Sequence, residues 1–154
     1  SISKRARVFT KISIAYEKNG EQAKAEELLS KALNLASNEM YGLSKVIVYS
    51  TIFNEYIDND QNDMGMEYLE IAVRATKSFD VKAELTMAFY LIAQGYVKLN
   101  NFTEALRIAN LEDVSLSDKL MIIALVAEKH VETGIPISRN ENNILADIVE
   151  KLNN

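Results

Sequence analysis

Ile12-Ser13-Ile14-Ala15-Tyr16-Glu17-Lys18-Asn19-Gly20 is an apolar helical pattern that runs into a tyrosine and stops at an Asn-Gly pair. Ala25, Leu29, Lys31-Ala32-Leu33 and Leu35 follow it at helical spacing. The pattern recurs along the chain. Tyr16, Tyr56 and Tyr96 stand 40 residues apart, each near the end of an apolar helical segment and just before a turn signal. Ala25, Gly65 and Ala105 each lie nine residues after their tyrosine, and Leu29, Leu69 and Ala109 lie thirteen after it. A fixed period of about 20 to 50 residues is the signature of stacked structural units.

The turns keep the same register. Asn19-Gly20, Asn59-Asp60 and Asn100-Asn101 sit where a helix has to end, and Gly or Asn accepts the left-handed backbone that closes one. The spacing therefore predicts short-looped hairpins, with first helices over about residues 3 to 18, 40 to 58 and 81 to 99. The second helices are expected over about residues 21 to 37, 62 to 78 and 102 to 111. A fourth unit opens after Val114-Ser115-Leu116-Ser117, with Ser117 as the expected N-cap of a helix over about residues 118 to 133. His130 occupies the tyrosine slot there, Gly134 closes the helix, and Pro136, the only proline, follows. The returning helix is expected from about residue 141, with Ile144, Leu145, Ile148, Val149 and Leu152 on one stripe, as a cap on the last apolar layer.

These residues resemble the tetratricopeptide repeat family. The first unit resembles it through Tyr16, the Asn19-Gly20 turn, Ala25, Leu29 and Ala32; the second through Tyr56, Gly65, Leu69 and Ala72. The third does so through Ala93, Tyr96, Asn101-Phe102, Glu104-Ala105-Leu106 and Ala109. The resemblance implies an all-α fold, a right-handed superhelical stack of antiparallel helix hairpins with about eight helices. It also implies one domain over the whole chain, with units over about residues 3–39, 40–79, 80–114 and 115–154, the last irregular and capping. The period of 40 residues exceeds the family's usual length of about 34, so each helix is expected to be a few residues longer. Glu112 stands where the family pattern has a small residue, so the second helix of the third unit is expected to end early. Ala25, Gly65 and Ala105 are small where two helix backbones would approach closely. Each tyrosine would bury a broad ring between units, contributing about 1.5 to 3 kcal/mol.

Composition narrows the function. The chain has 154 residues, a formal net charge of −5 and no cysteine. Without clustered Lys and Arg an acidic chain is a poor ligand for phosphate backbones, so no nucleic-acid partner is expected. Runs such as Met121 to Ala127 are far shorter than the roughly 20 residues that span a bilayer, so no membrane span is expected. The lack of cysteine makes a reducing, cytoplasmic setting the easier reading. Ser1 stands in place of an initiator methionine, which is compatible with an excised domain or a processed product.

No catalytic, cofactor or metal site is expected. Gly20, Gly42, Gly65, Gly95 and Gly134 are isolated, so no phosphate-cradling loop forms. His130 is the only histidine and reads as a packed core residue rather than a base or ligand. Asp58-Asn59-Asp60-Gln61-Asn62-Asp63 opens like a calcium loop, but Asp63 and Leu69 stand where such a loop needs glycine and glutamate. The sequon Asn101-Phe102-Thr103 matters only in a secreted chain.

The resemblance implies instead a concave groove lined by the first helices. Position by position, the groove falls to Arg7, Thr10, Ile14 and Glu17, then Ile47, Ser50, Asn54 and Ile57, then Met87, Tyr90, Gln94 and Val97, and finally Met121 and Glu128. Its apolar members suit an amphipathic helix or an extended apolar peptide. Some of the family clamp carboxylates with Lys, Arg and Asn; only Arg7 and Asn54 are available for that here. The expected function is a non-catalytic scaffold for a protein or peptide. The alternatives are a sensor module for a small apolar ligand, a segment of a longer repeat array, and pairing of the apolar residues with a second copy as a homodimer.

Overall fold

Each of the first three hairpins turns on one backbone event. Four residues after the tyrosine the chain enters the left-handed region, at Gly20 (φ 77°), Asp60 (φ 62°) and Asn100 (φ 57°). The N–H of the next residue, Glu21, Gln61 or Asn101, then donates to the carbonyl of Tyr16, Tyr56 or Tyr96 at 2.9, 3.0 and 2.8 Å. Gly20, Asp60 and Asn100 themselves donate to Glu17, Ile57 and Val97 at 3.0, 3.1 and 3.0 Å. These paired bonds form the Schellman closure, which satisfies the last carbonyls of a helix while reversing the chain. The second helix starts at once, with Ala25, Gly65 and Ala105 donating to Glu21, Gln61 and Asn101.

The computed structural model describes residues 1–38, 42–79 and 81–154. Among the described residues the chain is all-α, with no strand and eight helices: α1 (Ile2–Lys18), α2 (Gln22–Ser37), α3 (Gly42–Ile57), α4 (Asn62–Thr76), α5 (Lys82–Lys98), α6 (Phe102–Ala109), α7 (Leu116–Thr133) and α8 (Arg139–Asn153). The expected unit boundaries at residues 39, 40 and 80, and the expected start of the second unit at 40, lie outside the described residues. The chain divides into two compact units, Ser1–Asp80 and Val81–Asn154.

In the first unit α1 packs on α2 and on α3, and α3 packs on α2 and α4. The small residues permit the close approaches. Ser13 Oγ donates to the Ala25 carbonyl at 2.8 Å, so α1 and α2 nearly touch backbones there. Forty residues on, a Cβ added at Gly65 would overlap the Ile57 side chain and lie 3.5 Å from the Phe53 carbonyl oxygen. Ala25, Ala32, Ala36, Val46, Ile52, Phe53, Leu69 and Ala72 fill the core around these approaches.

The second unit has α5 on α6 and α7, and α6 on α7 and α8. Phe89, Ala93, Phe102, Ala105, Leu106, Ile122, Val126 and Ile148 form its core. Two helix starts differ from expectation. Ser115, not Ser117, caps α7: its extended backbone lets the side chain accept from the Asp118 N–H at 3.2 Å. The helix thereby gains two residues at its start, and Lys119 swings its ammonium onto the carbonyls of Ala109 and Leu111 at 2.8 and 2.6 Å. Those bonds seal the short α6, whose early end matches the large Glu112 beyond it. Helix α8 starts at Arg139 rather than near Glu141, because Ser138 and Glu141 form a reciprocal capping box.

Three of the four slots, those of Tyr16, Tyr56 and His130, have unlike side-chain surroundings. Tyr56 is wholly buried and stacks on Tyr68, with ring centroids 5.6 Å apart and planes 8° apart. Tyr16 is half-buried beneath the Lys24 ammonium, 5.1 Å from the ring centroid. His130 is buried against Phe102, 4.1 Å between centroids. Burial, then the nearby Glu17 carboxylate, pushes the Tyr56 phenol well above its usual range; burial, then Glu67, pushes Tyr68 up to about 12.

Two outcomes follow from this packing. Gly65→Leu should cost about 1 to 3 kcal/mol in urea unfolding because the site has no room; an unchanged midpoint would place the α3–α4 approach elsewhere. In an alkaline titration followed at 295 nm, two of the seven tyrosines should resist ionisation. Both have folded values above the unfolded value of about 10, so stability is intact below that pH and falls as pH rises toward 12. Smooth ionisation of all tyrosines near pH 10, with the helical signal intact, would contradict it.

Candidate partner-binding face

The seam between α1 and α3 is polar where sequence periodicity reads as apolar. Glu55 is on the inner side of α3, with its side chain only 6% exposed. Arg7 Nε approaches its carboxylate at 3.0 Å and Lys11 Nζ at 3.8 Å, both cations themselves more than half exposed. Two turns along α1, Glu17 accepts from the Tyr56 hydroxyl at 3.3 Å and from Gln61 Nε2 at 3.2 Å. At the end of the seam Lys18 Nζ donates to Asn59 Oδ1 at 2.7 Å. Each helix thus supplies carboxylates that the other neutralises or hydrogen-bonds, as partly desolvated charge requires.

Several residues expected in the groove are taken up by this packing. Thr10 is fully buried, its hydroxyl donating to the Ala6 carbonyl at 2.8 Å. Ile14 and Ser50 are buried too. Ile57, half-buried, fills the space that Gly65 leaves. Arg7 and Glu17 are tied into the seam, while Ile47 is half-buried and Asn54 donates to the Ser50 carbonyl at 2.7 Å. These side chains cannot all meet a partner, because neighbouring helices already cover the faces they share.

The second unit is more open. On α5, Met87 is 52% exposed and Gln94, two turns on, is exposed; Tyr90 between them is half-buried and Val97 is buried in the core. On α7, Met121 is 44% exposed and Glu128, again two turns on, is exposed. Helices α5 and α7 pack on each other. Two adjacent helices therefore each present a methionine and a polar residue at the spacing of one helical stripe. Methionine adapts its shape to what it meets, which suits a surface that receives side chains.

His130 gives the second unit one buried polar cluster. Its Nδ1 lies 2.7 Å from the Ile135 carbonyl oxygen; a carbonyl only accepts, so Nδ1 carries a proton. Its Nε2 lies 3.2 Å from Glu141 Oε2, in a geometry too bent for a hydrogen bond. That carboxylate accepts from the Ser138 N–H at 2.9 Å. A cavity of about 40 Å³ adjoins the pair, lined otherwise by Leu106, Ile123, Val126, Ala127, Ile137 and Leu145. It has room for a water molecule, and its lining brings no hydroxyl or thiol to the imidazole. The pair ties α7, the loop after Gly134 and the start of α8 together.

Around Asp58 to Asp63 the chain is used for the turn: Asp60 is left-handed and Gln61 reaches back to Glu17. Among the described residues no three His, Cys, Asp or Glu side chains converge as a metal site, and no helix is long and apolar enough to cross a membrane. Comparison of the chain with family models, with curated proteins and with solved structures finds no match in any of the three.

The α1–α3 seam predicts an asymmetric response to mutation. Arg7→Ala leaves a desolvated carboxylate with one distant cation and should cost about 1 to 2 kcal/mol, discounted from the buried-pair range for the exposure of the arginine. Glu55→Leu leaves only exposed cations and should lie within about 1 kcal/mol of the parent. Equal losses in chemical denaturation would show that the pair, not the burial of Glu55, sets the cost.

Proposed function

We propose that the chain is a non-catalytic protein-interaction scaffold of the tetratricopeptide type that receives a helix or an extended peptide on its first helices. The observation that carries this reading is the pair of open stripes on α5 and α7, with Met87 52% and Met121 44% exposed on helices that pack together. Large side chains left in water on adjacent helices are a cost to the free protein unless something covers them. A partner helix with apolar residues at three- and four-residue spacing would bury both methionines and meet Gln94 and Glu128 at its margin.

The repeated closure at Tyr16, Tyr56 and Tyr96 supports the family resemblance, since each hairpin is rebuilt by the same backbone bonds. Because fold resemblance does not fix function, the weight rests on the exposed stripes. A cytoplasmic setting agrees with the absence of cysteine.

The test is affinity capture with crosslinking from the native cell extract. A protein captured by the parent should be reduced at least about tenfold by Met87→Glu with Met121→Glu, equivalent to about 1.4 kcal/mol of binding, while the melting temperature stays within a few degrees. Undiminished recovery with that double variant would remove the α5–α7 face from consideration.

A further inference from the structure

Charge is unevenly divided along this chain. All 22 acidic residues fall from Glu17 onward, whereas the first sixteen residues carry Lys4, Arg5, Arg7 and Lys11 and no acid. Helix α1 is thus a basic helix in an acidic protein. Its outer stripe is also apolar: Val8 is 53% and Ile12 42% exposed, one turn apart. Arg7 and Lys11 are occupied by Glu55, but Lys4 and Arg5 meet no acidic side chain among the described residues. Lys4, Arg5, Val8 and Phe9 line an open hollow of about 240 Å³.

Helix α7 carries the opposite pattern. Leu116 (53%), Leu120 (56%) and Val131 (84%) are exposed along one side of it. Spacings of four and eleven residues keep these three within a single helical stripe. Exposed Asp113 stands at the head of this stripe and exposed Glu128 beside it. The basic groups nearby do not offset them. Lys119 is folded onto the Ala109 and Leu111 carbonyls, and Lys129 is held by Glu132 at 3.0 Å.

We propose that these two stripes are complementary halves of one interface, so that α1 of one molecule docks on α7 of a second copy. Val8 and Ile12 would meet Leu116 and Leu120, with Lys4 and Arg5 facing Asp113. A contact between two different patches is heterologous: each added molecule leaves one stripe of each kind free, so association either continues or closes into a ring. Charge complementarity sets the register and makes the association salt-sensitive. The proposal uses faces other than the methionine stripes, and either can fail alone.

The experiment is sedimentation equilibrium of the full chain over a wide concentration range. In a buffer of about 20 mM salt the weight-average mass should rise with concentration, and about 0.5 M salt should return it to the monomer. Lys4→Glu with Arg5→Glu should give a monomer, as should Leu116→Ser with Leu120→Ser. Mixed in equal amounts, these two variants should form a dimer and nothing larger, because only one functional stripe of each kind remains. Circular dichroism checks that each variant is helical; Val8→Ser with Ile12→Ser replaces the first pair if that pair misfolds. A parent that stays monomeric at low salt, variants that still associate, or a mixture that stays monomeric would each overturn the proposal.

Discussion

The left-handed closure after Tyr16, Tyr56 and Tyr96 is the constraint on which the hairpins depend. A helix can stop for many reasons, but a Schellman closure stops it and sends the chain back within two residues. It also fixes where the second helix begins, so Ala25, Gly65 and Ala105 arrive at the same height on the returning helix each time. Only a small side chain is tolerated at that height, since Ser13 bonds the Ala25 carbonyl and Ile57 fills the space over Gly65. Closure and close approach are therefore one device, and the 40-residue period is its visible trace.

The fourth unit shows what happens when the device is loosened. Gly134 still turns left-handed and still donates to His130, at 2.9 Å. The chain then departs through Pro136, which supplies no N–H and cannot continue the reversal. Without the immediate return, α8 needs another anchor. The His130 and Glu141 pair supplies it, with the imidazole bonded to the Ile135 carbonyl and the carboxylate caught in the Ser138 capping box. A tyrosine in this slot would offer one hydroxyl, whereas histidine places two nitrogens on two sides of the ring. The departure from the repeat at residue 130 is what lets an irregular loop carry a well-capped terminal helix.

Much of this was legible in the sequence because closures and small residues are local features. Asn19-Gly20 or Gly134 announces a turn without reference to any neighbour. The starts of α7 and α8 are marked as well: Ser115 has an aspartate three residues on and Ser138 a glutamate three residues on, the spacing of a capping box. The groove residues were harder. Periodicity tells which face of α1 holds Thr10 and Ile14 but not which helix covers that face. Glu55 was not readable at all: a carboxylate within an apolar helix is the weakest of burial signals, and its partners Arg7 and Lys11 lie far off in the sequence. Only the packing of α1 on α3 brings them together.

That seam also explains why exposed apolar area is found where it is. Between α1 and α3 the polar contacts of Glu17 and Glu55 consume the side chains that would otherwise face a partner, leaving the outer stripe of α1 with Val8 and Ile12. In the second unit no comparable carboxylate lies between α5 and α7 among the described residues, and there the methionines remain in water. Burying a carboxylate beneath exposed cations gains little net stability, but it decides which faces are spent on folding. The faces left over, basic and apolar on α1, adaptable on α5 and α7, are the ones with free energy still to gain from a second molecule.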